Sequence, residues 1–304
     1  MSLPPFDAFL EREKPQSLLS VFRSRHFALQ GDDPNNPFGH EPELAHLLDL
    51  LMPDEGTFLD VGANGGYFSV YLSIRPNFHG SIHAFEPVAG TFAWMRENIR
   101  TFAPGKNIVS HQVAASDKVG EATIDVNANS GLSSIKEKAE HGETIKTIAL
   151  DSLNLDRVDF MKVDVEGHEA NALRGAEGII RSQTPYIFME STLVGEKISE
   201  AFEPLQFLLD RGYLLYLPAW LQPNGSLAVG IGPDFERKHL ALIPFILEDR
   251  LTFPGEAINI FACPKSRKGK IGRPFSVGTE PAPDPVRKSF WSVMEALFKG
   301  SAEK

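Results

Sequence analysis

The sequence predicts an α/β protein built on one mostly parallel sheet of seven strands, with helices on both faces. Two observations predict this fold. Between residues 49 and 265, short apolar runs alternate with longer amphipathic segments, which is the pattern of strand–helix units. The first of these runs leads into a glycine-rich turn, and a helical pattern follows the turn. So many units in about 210 residues favour a single doubly wound sheet over two thin domains.

Each predicted element rests on its own pattern of apolar residues. Runs bounded by turn residues predict strands, and apolar positions that recur every three or four residues predict helices. The strands are predicted at 57–61, 81–85, 108–113, 160–165, 186–190, 214–217 and 258–263. The helices are predicted at 67–74, 90–101, 169–182 and 201–211.

Composition and charge exclude several classes of protein. The 304 residues are 42% hydrophobic, which excludes a mostly disordered chain, and the formal net charge of −10 disfavours binding to nucleic acid. Cys263 is the one cysteine, so an intramolecular disulfide and a multi-thiolate metal site are excluded. The start of the sequence does not resemble a secretory signal, and no run approaches the roughly 20 apolar residues of a membrane span. We therefore expect a cytoplasmic protein.

The chain divides into three predicted zones. Residues 1–48 form an N-terminal segment with helical patterns that we interpret as a lid, and residues 49–265 form the α/β domain. Residues 266–304 are a basic, proline-rich linker followed by an amphipathic helix at 286–299. That helix could pack on the chain's own surface, pair with a second subunit to form a homo-oligomer, or lie on an anionic membrane. Its short apolar face disfavours the membrane.

The strongest local signal follows the first predicted strand. Gly62 allows a sharp turn, and the next two glycines let a ligand approach the backbone without meeting a Cβ atom. The glycines do not have the spacing of a dinucleotide-binding G-x-G-x-x-G motif. With an acid at the end of the strand, the run is typical of a loop that binds S-adenosylmethionine. Its residues are Asp60, Val61, Gly62, Ala63, Asn64, Gly65 and Gly66.

Polar residues at the ends of the next two strands extend this candidate site. Glu86, followed by Pro87, ends the second strand, where a carboxylate commonly accepts both ribose hydroxyl groups of a nucleotide. Ser116 and Asp117 follow the third strand, after small residues that leave room for a flat ring. They could bind an adenine edge, although a simple turn explains them nearly as well.

Several ionisable residues follow the fourth and fifth strands. Asp164, Glu166 and His168 come after the fourth strand, and Glu190 ends the fifth. At the carboxyl edge of an open α/β sheet such groups can act as general bases, and we consider all four as catalytic candidates. His168 has the ordinary pKa best suited to the role, although a structural histidine is more common at such a place. The acids could instead hold a divalent cation, but we favour helix capping and cofactor binding over a metal site.

Taken in order, these motifs resemble the FkbM-type methyltransferases. The resemblance covers residues 58–190, and its motifs are LDVGANGGYFS, HAFEPVAGTF, VAASDKVGEA, LDSL and DFMKVDVEGHEANALRGAEGII. It implies the seven-stranded Rossmann-like sheet of class I methyltransferases. It also implies transfer of a methyl group from S-adenosylmethionine to a hydroxyl oxygen, often on a sugar or a polyketide-like small molecule.

The resemblance also implies roles for individual residues. Five residues of the loop would hold the methionine end of the cofactor, namely Asp60, Gly62, Asn64, Gly65 and Gly66. Glu86 would hold the ribose, and Ser116 and Asp117 would flank the adenine. The acceptor would lie among segments such as 125–145 and 219–257, whose sequences encode no recognisable chemistry.

Two other functions stay open. One is an NAD-dependent oxidoreductase or another Rossmann enzyme that modifies sugar nucleotides, which the glycine spacing disfavours. The other is a cofactor-binding scaffold without catalysis, which the acids after the fourth and fifth strands disfavour weakly.

Overall fold

The computed structural model describes seven stretches of the chain, all within one compact unit. They are residues 41–125, 134–136, 142–193, 198–221, 227–229, 240–253 and 257–271. The α-helices are α1 (Pro42–Leu51), α2 (Tyr67–Ser73), α3 (Ala89–Phe102), α4 (Glu169–Arg174), α5 (Glu177–Gln183) and α6 (Ile198–Asp210). Short 3₁₀ helices cover Leu150–Leu153, Leu247–Thr252 and Lys265–Lys270.

The described strands form two sheets. In chain order they are β1 (Thr57–Val61), β2 (Ser81–Phe85), β3 (Ile108–His111), β4 (Ala114–Ala115), β5 (Gly120–Asp125), β6 (Ser134–Lys136), β7 (Gly142–Ile148), β8 (Phe160–Val163), β9 (Tyr186–Thr192), β10 (Tyr213–Leu221), β11 (Leu227–Ala228), β12 (Leu240–Phe245) and β13 (Ala257–Pro264). The larger sheet has nine strands in the order β11-β10-β13-β9-β8-β1-β2-β3, with β12 also paired to β10. The smaller sheet has four strands in the order β4-β7-β5-β6.

The predicted α/β class and all seven predicted strands are confirmed. They correspond to β1, β2, β3, β8, β9, β10 and β13 of the larger sheet. The predicted number of strands was too small, because β10 continues beyond residue 217 and pairs with β12 and β11. Residues 125–145 and 219–257, the two segments expected to hold the acceptor, both contain strands. The smaller sheet was not predicted.

The helix predicted at 169–182 is two helices. Asp151, from a distant 3₁₀ helix, caps the end of the first and the start of the second. Its backbone N–H donates to the carbonyl oxygen of Gly175 at 2.8 Å. Its carboxylate accepts hydrogen bonds from the N–H groups of Gly178 and Ile179. A Cβ atom on Gly175 would also overlap the carbonyl oxygen of Ser116, so the backbone there packs against the strand edge. The periodicity of residues 169–182 carries no information about these distant contacts.

Alternating side chains of the larger sheet build a core on each face. Phe58 and Phe160 point to one face, where they pack with residues of α1 and α2. Leu59 and Met161, their neighbours along the strands, point to the other face and pack with residues of α4, α5 and α6. The predicted helices on both faces are therefore confirmed, and the sheet between them is held rigidly.

Helix α1 is fixed to the larger sheet by a buried polar contact as well as by its leucines. The indole N–H of Trp220 in β10 donates to Oε1 of Glu43 at 2.6 Å, and the ring of His46 packs edge-on against the same indole at 5.0 Å. This contact places residue 41, just before α1, at the carboxyl edge of the parallel strands.

The predicted zones are only partly covered by the described residues. The predicted boundary at residue 48 falls inside α1, and the division of the chain into zones stays a prediction. The predicted helix at 286–299 lies outside the described residues. Among those that are described, none of the helices has the length and apolarity needed to cross a membrane.

Candidate active site

The loop between β1 and α2, residues 62–66, is held by the neighbouring strand; we call it the cofactor loop. The backbone N–H groups of Gly62 and Ala63 both donate to the carbonyl oxygen of Phe85, at 3.1 and 2.9 Å. Asn98 of α3 donates from Nδ2 to the carbonyl oxygen of Gly65 at 2.8 Å. These contacts fix the loop before any ligand binds.

The glycines of the cofactor loop also meet needs of the protein itself. Gly62 has φ +76° and Gly66 has φ +80°, which is the left-handed region that glycine enters freely. A Cβ atom on Gly62 would overlap the carbonyl oxygen of Asp164, and one on Gly66 would lie 2.9 Å from Cγ of Met95. The sequence predicts only ligand approach for the second and third glycines, whereas Gly66 also packs against α3.

Asp60 ends β1 with a carboxylate that is almost wholly buried. Its Oδ2 accepts hydrogen bonds from Ser69, at 3.1 Å from the backbone N–H and 2.7 Å from the hydroxyl. Its Oδ1 has no hydrogen-bond partner among the described residues. Burial raises the pKa of Asp60, while Lys162 and Ser69 oppose that rise. A buried acceptor without a donor indicates a site for a ligand that carries one.

Glu86 follows β2 and connects the cofactor loop to the next turn. Its Oε2 accepts from the backbone N–H of Asn64 at 3.2 Å, and its Oε1 accepts from that of Val88 at 2.9 Å. Asn64 has φ +49°, and its Oδ1 is buried with no partner in the described part of the chain. Burial raises the pKa of Glu86 to about 7. Pro87 lies half-buried in the turn before α3.

His168 binds protein groups through both ring nitrogens. Nδ1 lies 3.2 Å from Nδ2 of Asn171, an obligatory donor, so the network assigns the proton to Nε2. Nε2 lies 3.1 Å from the hydroxyl of Ser116, which in turn lies 3.2 Å from Oδ1 of the exposed Asp117. Burial lowers the pKa of His168. The structure thus places His168 with the residues predicted to flank adenine, and its role as a base stays a prediction.

Three carboxylates converge at the ends of β8 and β9; we call Asp164, Glu166 and Glu190 the acid cluster. Each offers an oxygen, and these oxygens all lie within 4.8 Å of one another, a spacing that one cation could bridge. Burial, followed by neighbouring acids, raises the pKa of Glu166 to about 8 and that of Glu190 to about 7. Carboxyl groups with such values can accept a proton near neutral pH.

The loop after β8, which carries Asp164 and Glu166 of the acid cluster, has a strained backbone and is held by hydrogen bonds. Glu166 has φ +51°, which is unfavourable for a residue with a side chain, and Gly167 follows with φ +92°. Oε1 of the buried Glu169 accepts from the backbone N–H groups of Val165 and Gly167 at 3.3 and 3.0 Å. Glu169 is the acid of the first turn of α4, and it also holds this loop.

Lys162, in the middle of β8, belongs to the site but is not among the residues predicted from the sequence. Its Nζ donates to the carbonyl oxygen of Gly62 at 3.0 Å and to Oδ2 of Asp164 at 2.9 Å. Burial opposes its charge, but Asp164, Asp60 and Glu41 outweigh burial and hold the pKa of Lys162 above its usual value. A lysine between buried apolar residues of a central strand was the available signal.

Two further residues of the site come from outside the segment of family resemblance. The side chain of Asn259 in β13 is hydrogen-bonded to Glu41, and it stands opposite Glu190 in the strand register. Burial raises the pKa of Glu41 to about 7. No sequence pattern links residues 41 and 259, so only the packing of α1 and β13 against β9 reveals them.

The raised pKa values predict how stability varies with pH. Glu41, Glu86 and Glu190 have a pKa of about 7 and Glu166 of about 8, whereas unfolded glutamates titrate near 4.3. The folded state therefore holds more protons, and we expect the free energy of unfolding to fall by about 3 kcal/mol from pH 6.5 to 8. Urea unfolding at the two pH values measures this fall. Glu190→Gln should make it smaller, and a flat profile in the parent protein would contradict the pKa directions.

Comparison with known proteins places the chain in a family. A sequence profile described as the methyltransferase FkbM domain matches residues 60–215, which include the cofactor loop, the acid cluster and Lys162. The chain belongs to the FkbM methyltransferase family. The match covers just over half of the chain and leaves out both Glu41 and Asn259.

Two curated relatives and one solved structure illustrate the likeness. Hexuronic acid methyltransferase AglP of Haloferax volcanii is 30% identical over 146 residues, which are 47% of this chain and 59% of the relative. Methyltransferase 1 of Beauveria bassiana is 26% identical over 152 residues, which are 41% of this chain and 60% of the relative. The chain thus spans about three fifths of each. A crystal structure of methyltransferase FkbM from Methylobacillus flagellatus is 20% identical, covers 45% of this chain and 33% of its own, and gives a TM-score of 0.36.

The residues present fit the cofactor that the family implies. The Oδ1 atoms of Asp60 and Asn64, which none of the described residues bonds, are acceptors, as the ammonium group of a methionine end requires. Glu86 keeps acceptor capacity beyond its two backbone donors, because an ionised carboxylate has about four lone-pair sites. The sequence predicts these residues for the methionine and ribose parts of the cofactor, and those individual roles stay predictions.

Proposed function

We propose that this FkbM-family protein transfers the methyl group of S-adenosylmethionine to a hydroxyl group of a small molecule or glycan. The observation that carries the proposal is a pair of buried acceptors, Asp60 Oδ1 and Asn64 Oδ1, that have no partner in the described part of the chain and lie beside Glu86 at one edge of the sheet. They lie in the segment that matches the family profile. The activated methyl group is supplied by the cofactor, so the protein has mainly to hold and orient the two reactants.

The cofactor would be held by residues of three strand ends. Asp60 and residues 62–66 would bind the methionine part, Glu86 with Pro87 the ribose, and Ser116 with Asp117 the adenine. His168 supports this arrangement because it is hydrogen-bonded to Ser116 and so steadies the adenine side. This contact favours a positioning role for His168 over that of the base.

The acid cluster is the better source of a base for the acceptor hydroxyl. Asp164 is already engaged in an ion pair, since its Oδ2 lies 2.9 Å from Nζ of Lys162. The pKa of Glu190 is raised to about 7, close to neutral pH, and the residue lies on a strand rather than on a loop. We therefore assign proton removal to Glu190, with Glu166 as its neighbour in the cluster.

The relatives support a hydroxylated acceptor but do not identify it. The name of the Haloferax relative specifies a hexuronic acid, so sugars with free hydroxyl groups are the first acceptors to try. A cytoplasmic location, and homo-oligomers formed through the helix predicted at 286–299, stay predictions. A cation bridging the acid cluster is an alternative that the spacing allows.

The cofactor is tested by calorimetric titration with S-adenosylmethionine, S-adenosylhomocysteine and NAD⁺. We expect micromolar binding of both sulfur compounds and none of NAD⁺, with binding lost in Gly65→Arg. Binding of NAD⁺ alone would indicate an oxidoreductase. Binding of the sulfur compounds without transfer of labelled methyl to any acceptor in a sugar panel would favour the scaffold hypothesis.

Glu190→Gln tests the base. In the parent enzyme kcat should rise with pH up to about 7 and then level off, because the carboxylate is the active form. In the variant we expect kcat to fall about 100-fold or more and to lose this rise, with cofactor affinity unchanged. Glu121→Gln, an exposed position on β5, is the matched control. Repeating the assay with EDTA distinguishes a protein base from a bound cation, since activity should survive the chelator.

A further inference from the structure

Lys162 is a charged residue in a place where charge is costly. It stands in the central strand β8 between Met161 and Val163, both fully buried, and is itself 3% exposed. Ionised side chains are kept in such positions only when several partners compensate for lost hydration. The partners of Lys162 therefore indicate what the residue does.

Its ammonium group joins two parts of the candidate site. Nζ donates to the carbonyl oxygen of Gly62, the first residue of the cofactor loop, at 3.0 Å. The same atom donates to Oδ2 of Asp164, the first residue of the acid cluster, at 2.9 Å. The backbone is also bonded beside these two parts, since the N–H of Asp164 donates at 3.1 Å to the carbonyl oxygen of Val61, the residue before the cofactor loop.

Acidic groups from three other elements or loops face Lys162. Asp60 stands opposite it in the register of β1 and β8, Asp164 follows β8, and Glu41 precedes α1. Lys162 is the cation among these acids, and each of them favours its charged form. A neutral side chain of the same length would leave the carboxylates uncompensated and the carbonyl oxygen of Gly62 without its donor.

We propose that Lys162 is a positioning residue that fixes the carbonyl group of Gly62 relative to the carboxylate of Asp164, so that the cofactor loop and the acid cluster keep one arrangement. This inference rests on the proposed function. It goes beyond it by connecting cofactor binding to the orientation of the acid cluster through a single ammonium group.

The test separates positioning from simple charge balance with three variants, Lys162→Met, Asp164→Asn and the double variant. Each is measured for urea stability and for calorimetric affinity toward S-adenosylhomocysteine. Lys162→Met leaves Asp164 and the other acids that face it without their cation, so it should lose stability, and removal of the Asp164 charge should restore part of that loss. Affinity should fall about tenfold or more in Lys162→Met and stay low in the double variant, because the Gly62 carbonyl still lacks its donor.

A control variant and three contrary results distinguish positioning by Lys162 from charge balance alone. Lys146→Met, an exposed lysine on β7, should match the parent protein in both measurements. If the double variant regains affinity together with stability, Lys162 merely balances charge and the proposal is wrong. If Lys162→Met is folded and binds as tightly as the parent, the proposal also fails while the proposed function stands. If the parent itself does not bind S-adenosylhomocysteine, both fail.

Discussion

Replacing Gly62 with alanine is expected to lower the free energy of unfolding by about 3 kcal/mol or more. The backbone at Gly62 has φ +76°, where a side chain adds strain, and the new Cβ atom would overlap the carbonyl oxygen of Asp164. The N–H group of Asp164 donates a hydrogen bond to the carbonyl oxygen of Val61, which fixes the backbone of Asp164 against β1. The carbonyl oxygen of Asp164 therefore cannot move away without disturbing the pairing of β1 and β8. Urea unfolding measures the loss directly.

Gly90→Ala is the matched control for this experiment. Gly90 lies in the first turn of α3, and a Cβ atom there would meet nothing within 4 Å. Alanine is the better helix former, so we expect this variant to be as stable as the parent or slightly more stable. A Gly62→Ala protein as stable as Gly90→Ala would mean that β1 and β8 do not approach as closely as described.

Replacing Glu86 with glutamine is expected to weaken binding of S-adenosylhomocysteine about 100-fold. The carboxylate accepts from the backbone N–H groups of Asn64 and Val88 through different oxygens, at 3.2 and 2.9 Å. An amide has one acceptor oxygen, so its NH₂ group would face one of these donors and also offer less to the ribose hydroxyls. Calorimetric titration measures the change, and Glu55→Gln on the exposed turn before β1 is the control.

The same residue predicts how affinity varies with pH. Burial raises the pKa of Glu86 to about 7, so below pH 7 the free protein increasingly carries the protonated form that cannot accept both hydroxyls. Affinity of the parent for S-adenosylhomocysteine should therefore fall as pH drops from 7 to 5.5, by up to about tenfold per unit. In Glu86→Gln this component should disappear. A parent whose affinity does not change in this range would rule out Glu86 as the ribose acceptor.

The sequence by itself determined the parts of the protein that depend on neighbouring residues. Alternation of apolar runs and amphipathic segments was enough for the seven strands, because a parallel strand buried on both faces has a local signature. The run from Asp60 to Gly66 and the acid at Glu86 were also found from short-range patterns. Their strand ends meet at one edge in a doubly wound sheet, so the candidate cofactor site followed from the fold class.

The tertiary structure alone decided how those parts contact one another. The helix predicted at 169–182 breaks because Asp151 begins a second helix and Gly175 packs against Ser116. In addition to burial, Glu41 helps to raise the pKa of Glu190 in the acid cluster, and the side chain of Asn259 is hydrogen-bonded to Glu41. These two residues come from opposite ends of the described chain. Gly62 must be glycine because of the carbonyl oxygen of Asp164, and Lys162 joins the same two residues through its ammonium group. Each is a contact between residues far apart in sequence, set by packing that no local pattern records.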